Sequence, residues 1–351
     1  MKAEINEETL QDLINIETGL LSPLDGFMRE DDYKYVVSNY TLANGVVFTI
    51  PVTLDVSKKV FDGVTYGSLL ELEYNGHIVA SITVDSKFEV SDSDIEIVFR
   101  TDDLDHPGVF KEKSRSPYRI GGKTSVADKR LLEDALKPED TRAVFSSRGW
   151  KTIVGFQTRN PIHKAHEHIQ RLGLEVCDGL FINPITGWKK VGDFSEEAVM
   201  AAYHTMIERF YPKDRVYIAG LRTQMRYAGP REAVFHAIIR RNLGCTHFVI
   251  GRDHAGVGGY YGAYDAHALA NKIIEKHDLG IKLLLTREPY YCTMCKQVVT
   301  DNTCGHYYSN RVEISGTIVR KYIKEGFMPD EIMLRQEILD SIIACEHVFI
   351  E

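Results

Sequence analysis

Two rhythms of hydrophobic and polar residues divide this chain. Up to about residue 140, apolar positions fall in short runs: Val46–Thr53, Ser68–Tyr74, His77–Val84 and Ile95–Arg100 read as strands. Asn75-Gly76, between two of them, is a tight-hairpin dipeptide, because both residues of such a turn need positive φ. Helical spacing is confined here to about Glu7–Asn15 and Asp31–Asn39. Ser91–Asp105 carries six acids against one arginine and reads as a solvated strand edge and loop.

From Lys151 onward the pattern alternates. Strand-like runs at Thr152–Phe156, Gly179–Asn183, Arg215–Ala219, His247–Ile250 and Lys282–Leu285 are separated by helical patterns at Lys164–Glu175, Ser195–Phe210, Pro230–Asn242 and Ala263–His277. Short apolar strands alternating with helices predict an α/β fold with a parallel, doubly wound sheet, both faces covered. Leu136–Gly149 reads as a turn-rich connector, and further helical patterns follow at Ser315–Glu325 and Glu331–Ala344. The expected organisation is a mostly β domain over 1–140, an α/β domain over 141–288 and a C-terminal segment over 289–351.

Composition changes this picture little. The 351 residues are 44% hydrophobic and 26% charged, as in an ordinary soluble globular protein. No apolar run approaches a membrane span and the N-terminus is polar and acidic, so a cytoplasmic protein with no membrane partner is expected. The net charge of −8 argues against nucleic acid as the main ligand, though a local positive cleft still focuses small anions. Of six cysteines, Cys177 and Cys245 lie in apolar surroundings and read as buried, inert thiols. Cys292-x-x-Cys295 followed by Cys304-Gly-His306 supplies four soft donors at the spacing of a structural zinc site; the alternative is a set of reduced surface thiols.

Chemistry concentrates in two strand–loop–helix junctions. The first is Gln157-Thr158-Arg159-Asn160-Pro161-Ile162-His163-Lys164-Ala165-His166-Glu167. His163 and His166 are three apart and share a helical face, close to the unpaired N–H groups and positive dipole end of the helix. Arg159 adds a fixed planar cation suited to oxyanions. A lone His-x-x-His also occurs on ordinary surface helices; the preceding strand, the Arg-Asn-Pro and a second loop single this one out. That second loop, Gly251-Arg252-Asp253-His254-Ala255-Gly256-Val257-Gly258-Gly259, follows the His247–Ile250 run and lets backbone approach a ligand closely. Its bland counterpart is a charged βα turn.

Other segments stay open. Asn183-Pro184 ends a strand-like run, and Lys189 and Lys190 either flank an anion site or are exposed loop lysines. Arg222, Arg226 and Arg231 tune a cleft's field, form surface ion pairs or make a subunit contact, while Arg240 and Arg241 read as a solvated helix end.

Taken together, Gln157–Glu167, Met225–Ala233, Gly244–His247 and Gly251–Gly258 resemble the ATP sulfurylase (sulfate adenylyltransferase) family, with weaker matches at Ser22–Met28 and Ile314–Arg320. The likeness covers nearly the whole chain. It implies a Rossmann-like nucleotidyltransferase domain, a PUA-like N-terminal domain and a small zinc-bearing, helical C-terminal segment. It implies reaction of ATP with sulfate to give adenosine 5′-phosphosulfate and pyrophosphate, or the reverse, with Mg²⁺ on the nucleotide and a homodimeric enzyme.

By the same resemblance, Gln157 and Arg159 hold sulfate with backbone near Ala255, and Thr158 and Asn160 arrange the loop and the α-phosphate. His163 and His166 bind the triphosphate, Gly251, Arg252, Asp253 and His254 hold ribose and neighbouring nucleotide groups, joined by Gln157, and Val298 lines the adenine pocket. Where this family often has His-Pro, the chain has Asn183-Pro184, which keeps hydrogen bonding but loses titration. Zinc on Cys292, Cys295, Cys304 and His306 is similar to the site of some bacterial and archaeal members. Other His-x-x-His adenylyltransferases, and an RNA-binding protein with PUA-like and zinc modules, are the rival readings. With no P-loop motif in the chain, a fused kinase is not expected.

Overall fold

A computed structural model describes residues 1–187 and 189–350. The chain forms two compact bodies that do not follow chain order. One comprises Met1–Arg142, Arg222–Gly244 and Asp253–Ile281; the other comprises Ala143–Leu221, Cys245–Arg252 and the residues from Lys282 onward.

The first body is built on a mostly antiparallel sheet. Strands Lys2–Glu4, Leu69–Tyr74, His77–Thr83, Tyr118–Val126 and Gly26–Phe27 lie side by side in that order, and Leu54–Asp55 and Ser86–Glu89 also pair with Tyr118–Val126. Asn75 and Gly76 take φ of 50° and 79°, as the tight hairpin between two of these strands requires. Three expectations fail here. Val46–Thr53 is not a strand: Val47, Phe48, Ile50 and Val52 are buried, but only Val47 bridges, to Thr41, and Pro51 has no N–H to give a ladder.

Ile95–Arg100 belongs to a helix, Asp92–Phe99. The Ser91 hydroxyl accepts the Asp94 N–H while the Asp94 carboxylate accepts the Ser91 N–H, so the acids do face solvent, but Asp92 and Asp94 stand at the capped, positive end of a helix rather than on a strand edge. The Leu136–Gly149 connector contains the helix Pro138–Ser147, opened by Pro138 with Glu139 and Asp140 in its first turn.

Helix Pro230–Asn242 also belongs to this body, and its residues Pro230 to Arg240 are all buried. Arg240 is therefore no solvated helix end, since its side chain is fully covered. Arg226 pairs with Asp12 at 2.8 Å and Arg222 with Glu7 at 3.0 Å, while buried Arg231 donates to the carbonyls of Val36 and Val37.

The second body holds the parallel sheet: β1 (Ile153–Thr158), β2 (Gly179–Pro184), β3 (Val216–Ile218), β4 (His247–Ile250) and β5 (Lys282–Leu285), in spatial order β3-β2-β1-β4-β5 with every pair parallel. This is the Rossmann order, whose direction of winding reverses between β1 and β4, and ligands gather beyond the carboxyl ends of strands at such a reversal. Helices α1 (Lys164–Val176) and α2 (Glu196–Arg209) follow β1 and β2, and α3 (Gly316–Lys324) and α4 (Gln336–Ile343) come from the C-terminal segment. Val154, Phe156, Leu180, Ile182 and Val249 of the sheet pack with Tyr203, Met206, Leu339 and Ile342 of the helices. A three-stranded antiparallel sheet precedes α3, with β6 (Tyr290–Cys292) between β7 (Gln297–Val299) and β8 (Arg311–Glu313).

Candidate active site

The loop leaving β1 is shaped by its own side chains. The Thr158 hydroxyl accepts the Asn160 N–H at 3.1 Å and donates to the Asn160 carbonyl at 3.0 Å, closing a tight turn around Arg159. Pro161 then keeps Asn160 out of helical geometry. Helix α1 starts only after His163, which is its N-cap: the backbone is extended (φ −129°, ψ 173°) and ring Nδ1 accepts the His166 N–H at 3.4 Å. An imidazole that accepts at Nδ1 and is neutral carries its proton on Nε2. The His163 and His166 rings stack with centroids 3.8 Å apart and planes 20° from parallel, so the two do share one face.

Both imidazoles are held neutral. Burial pulls His163 well below its ordinary value, and the neighbouring His166 adds to this. Burial brings His166 down to about 4, against a hydrogen bond to the Pro161 carbonyl that favours protonation. His163 therefore offers an N–H donor rather than positive charge, while the single N–H of neutral His166 goes to the Pro161 carbonyl.

Cationic groups stand beside them. Arg159 is half-buried at the head of the loop. Lys189 is only 4% exposed, not the surface lysine of the bland reading, and donates from Nζ to the Phe194 carbonyl at 2.7 Å. Burial lowers it to about 8, with Arg159 and Arg320 repelling its charge and Asp193 and Glu196 favouring it. Asn183 is buried and its amide donates to the Ala219 carbonyl at 2.7 Å, so it ties the end of β2 to the chain beyond β3. Arg320 of α3 donates to the Asn160 side chain at 2.9 Å and pairs with Asp193 at 3.2 Å. Val298 on β7 is half-buried and packs with the cluster containing Ala165 of α1, Ile314 and Met333. Gln157 and Thr158 close β1 beside Asn183 and Pro184 of β2.

At the end of β4, Arg252 pairs with Glu288 at 3.2 Å, and Gly251 leads into the chain of the other body. There Asp253 and Ala255 both take left-handed φ, 47° and 58°, unusual for side chains other than glycine and a mark of loops held for a purpose. A Cβ on Gly256 would lie 1.8 Å from an Asp253 carboxylate oxygen, so a side chain there would displace that carboxylate. His254 Nε2 lies 3.1 Å from His236 Nδ1, and His236 Nε2 is 3.5 Å from Glu232, both of the latter fully buried. Sequence reasoning missed this pair; its one signal was a carboxylate and an imidazole four apart in one helical pattern.

Cys292, Cys295, Cys304 and His306 form a separate group: their donor atoms all lie within 4.8 Å of one another, an arrangement that can hold a metal ion.

Comparison with known proteins gives a consistent result. Residues 1–129 match the PUA-like domain family and residues 133–345 the ATP-sulfurylase family. A sulfate adenylyltransferase of Ignicoccus hospitalis is 42% identical over 354 residues, covering 100% of this chain and 92% of the relative. One from Hyperthermus butylicus is 44% identical over 349 residues, covering 97% and 88% respectively. Among solved structures, a hexameric APS kinase from Thiobacillus denitrificans matches with a TM-score of 0.70 at 19% identity, over 97% of this chain and 62% of that one. This chain thus spans less than two thirds of that protein's chain, and the likeness is one of fold.

The depressed imidazoles have a measurable consequence. An unfolded chain takes up protons on these histidines near 6.5, whereas folded His166 does so only near 4, so the unfolded state binds more protons in between. Stability should fall as pH drops through that window, and His166→Asn should flatten the slope. Nitrogen chemical shifts of the two rings should stay those of neutral imidazole down to about pH 5; titration of His166 near 6.5 would contradict the assignment.

Proposed function

The chain belongs to the ATP-sulfurylase family, and from that membership we propose that it is a sulfate adenylyltransferase acting at the Arg159–His166 loop. A sulfate oxygen attacks the α-phosphorus of ATP, the bond to the bridging oxygen opposite breaks, and pyrophosphate leaves; the reverse reaction uses the same residues. The observation that carries this reading is the joining, in one loop at the reversal point of the sheet, of a guanidinium and two neutral imidazoles.

Sulfate is fully ionised at neutral pH, so the step needs no general base. It needs two mutually repelling anions held in line, and such transfers are catalysed chiefly by positioning and charge stabilisation. Arg159 and Gln157 hold sulfate, and the Arg159 charge offsets repulsion from the α-phosphate. Thr158 shapes the turn and Asn160 meets the α-phosphate. His163 donates its N–H to the triphosphate and to the charge growing on departing pyrophosphate, and His166, whose own N–H goes to the Pro161 carbonyl, stacks on it and keeps it in place. A neutral donor suits this task, because it aligns with the developing charge without the desolvation penalty of buried imidazolium.

Gly251 and Arg252 hold the nucleotide, and Val298 borders the adenine. ATP enters with Mg²⁺ on its phosphates, held mainly by substrate and water.

We assign zinc to that cluster. Cys295 and Cys304 sulfurs are 3.7 Å apart, and His306 Nδ1 lies 3.5, 3.2 and 3.5 Å from the sulfurs of Cys292, Cys295 and Cys304. Tetrahedral zinc with bonds of roughly 2.3 Å to sulfur and 2.0 Å to nitrogen would set such edges at about 3.5–3.8 Å. With all four positions supplied by protein, the metal ties β6 and β7 to the following loop and takes no part in the reaction. The same reading has the enzyme working as a cytoplasmic homodimer.

Arg159→Ala should lower sulfate-dependent exchange of labelled pyrophosphate into ATP by at least about a hundredfold with little change in melting temperature, the size expected for losing a group that contacts the reacting anion. Near-normal sulfate kinetics would remove Arg159 from the mechanism, and absence of any sulfate-dependent exchange in the native enzyme would end the reading. Elemental analysis should find one zinc per chain, and chelation at raised temperature should lower the melting temperature; zinc-free native protein of full stability would contradict the assignment.

A further inference from the structure

Helix α3 brings one arginine onto the loop that carries the reactive residues. Its start is set by Ser315, whose hydroxyl accepts the Ile318 N–H. Gly316, in the first turn, packs so tightly on Asn160 that a Cβ would sit 2.9 Å from both Cγ and Nδ2 of that side chain. One turn on, Arg320 is mostly covered, with 17% of its side chain exposed. Its Nη2 donates to Asn160 Oδ1 at 2.9 Å and lies 3.2 Å from the carboxylate of Asp193, itself 1% exposed. Its guanidinium lies 5.5 Å from the centre of the Phe194 ring. The Asp193 end is anchored in turn: Ile350 N–H donates to the Asp193 carbonyl and Gly192 N–H to the Ile350 carbonyl, at 2.9 and 2.8 Å.

A side-chain amide has a donor end and an acceptor end of nearly the same shape, and only its partners decide which faces where. Guanidinium has no acceptor. The atom of Asn160 that meets Arg320 is therefore its oxygen, and its NH₂ is turned the other way. An amide presented by its NH₂ attracts a phosphate oxygen, whereas one presented by its carbonyl repels it.

We propose that Arg320 is a positioning residue for adenylyl transfer: held by Asp193 and Phe194, it locks the Asn160 amide with its NH₂ facing the nucleotide's α-phosphate. The inference rests on the reading above that Asn160 meets that phosphate. It gives the C-terminal helix a task in the reaction without any contact of its own with substrate. Gly316 belongs to the same device, because its missing side chain leaves Asn160 the room to take this orientation.

A double-mutant cycle in sulfate-dependent pyrophosphate–ATP exchange tests the proposal. Arg320→Gln, whose own amide no longer dictates the orientation, should lower kcat about tenfold or more while the KM for sulfate stays near native. Asn160→Ala should lower kcat further, and the double variant should be no worse than Asn160→Ala alone, because Arg320 acts only through Asn160. Arg320→Lys, which keeps a cationic donor, should recover part of the loss. Gly316→Ala, which crowds Asn160 from the same helix, should reproduce the kcat defect and covers the case in which Arg320→Gln does not fold.

Multiplicative losses in the double variant would overturn the proposal, as would a fall in melting temperature with native kcat in Arg320→Gln and Gly316→Ala. Full activity in Asn160→Ala would overturn both this inference and the role given to Asn160. Loss in Asn160→Ala with additive behaviour would overturn the inference alone.

Discussion

Desolvation of two stacked imidazoles is the constraint around which the loop after β1 is organised. An imidazole shielded from water and set against another favours its uncharged form, and here neither His163 nor His166 is a cation. Neutrality has a structural use as well, since only an unprotonated Nδ1 lets His163 cap α1 by accepting the His166 N–H. Capping, tautomer and presentation of Nε2–H are thus one arrangement. On the proposed reading, the positive charge that two anionic substrates require comes from elsewhere: from the guanidinium of Arg159 and from Lys189, whose amine burial brings to about 8.

The loop is not rigid by itself, and three supports hold it. Thr158 bonds the backbone of Asn160 from within. Arg320 reaches it from α3 and connects it to Asp193 in the chain after β2. Behind the helix, Glu167 of α1 accepts from Arg335 through both carboxylate oxygens and from Arg171, so the first turn of α1 is fixed to the segment before α4. The last 60 or so residues of the chain therefore serve the site by position, and the Cys292–His306 cluster lies on the same small sheet as Val298, which packs with Ala165 of α1.

How far the sequence discloses this depends on the range of the interaction. The strands and helices of the parallel sheet could be read to within a few residues, because wholly apolar runs and amphipathic helices are local patterns; the helix read over Glu331–Ala344 starts only at Gln336. Four metal-type donors in a short stretch were equally visible. Ile95–Arg100 was misread because its β-branched and aromatic residues suit a strand, whereas the deciding feature is the Ser91–Asp94 capping box upstream. Burial of Arg240 and Lys189 was invisible, since charge in a sequence suggests solvent, and only the fold shows what covers them. Glu232–His236–His254 and Arg320–Asn160 escaped for the same reason: partners 18 and 160 positions apart leave no local signal.

The central claim is that Arg159 and the neutral imidazoles of one loop hold a tetrahedral oxyanion and the nucleotide's phosphates together. A crystal structure of the protein with adenosine 5′-phosphosulfate and pyrophosphate tests it most directly. The account predicts the sulfate group on the guanidinium of Arg159 and a pyrophosphate oxygen at hydrogen-bond distance, roughly 2.7–3.2 Å, from the His163 ring, with His166 stacked against it. Ligand bound in another cavity, with those three side chains touching none of it, would contradict the account.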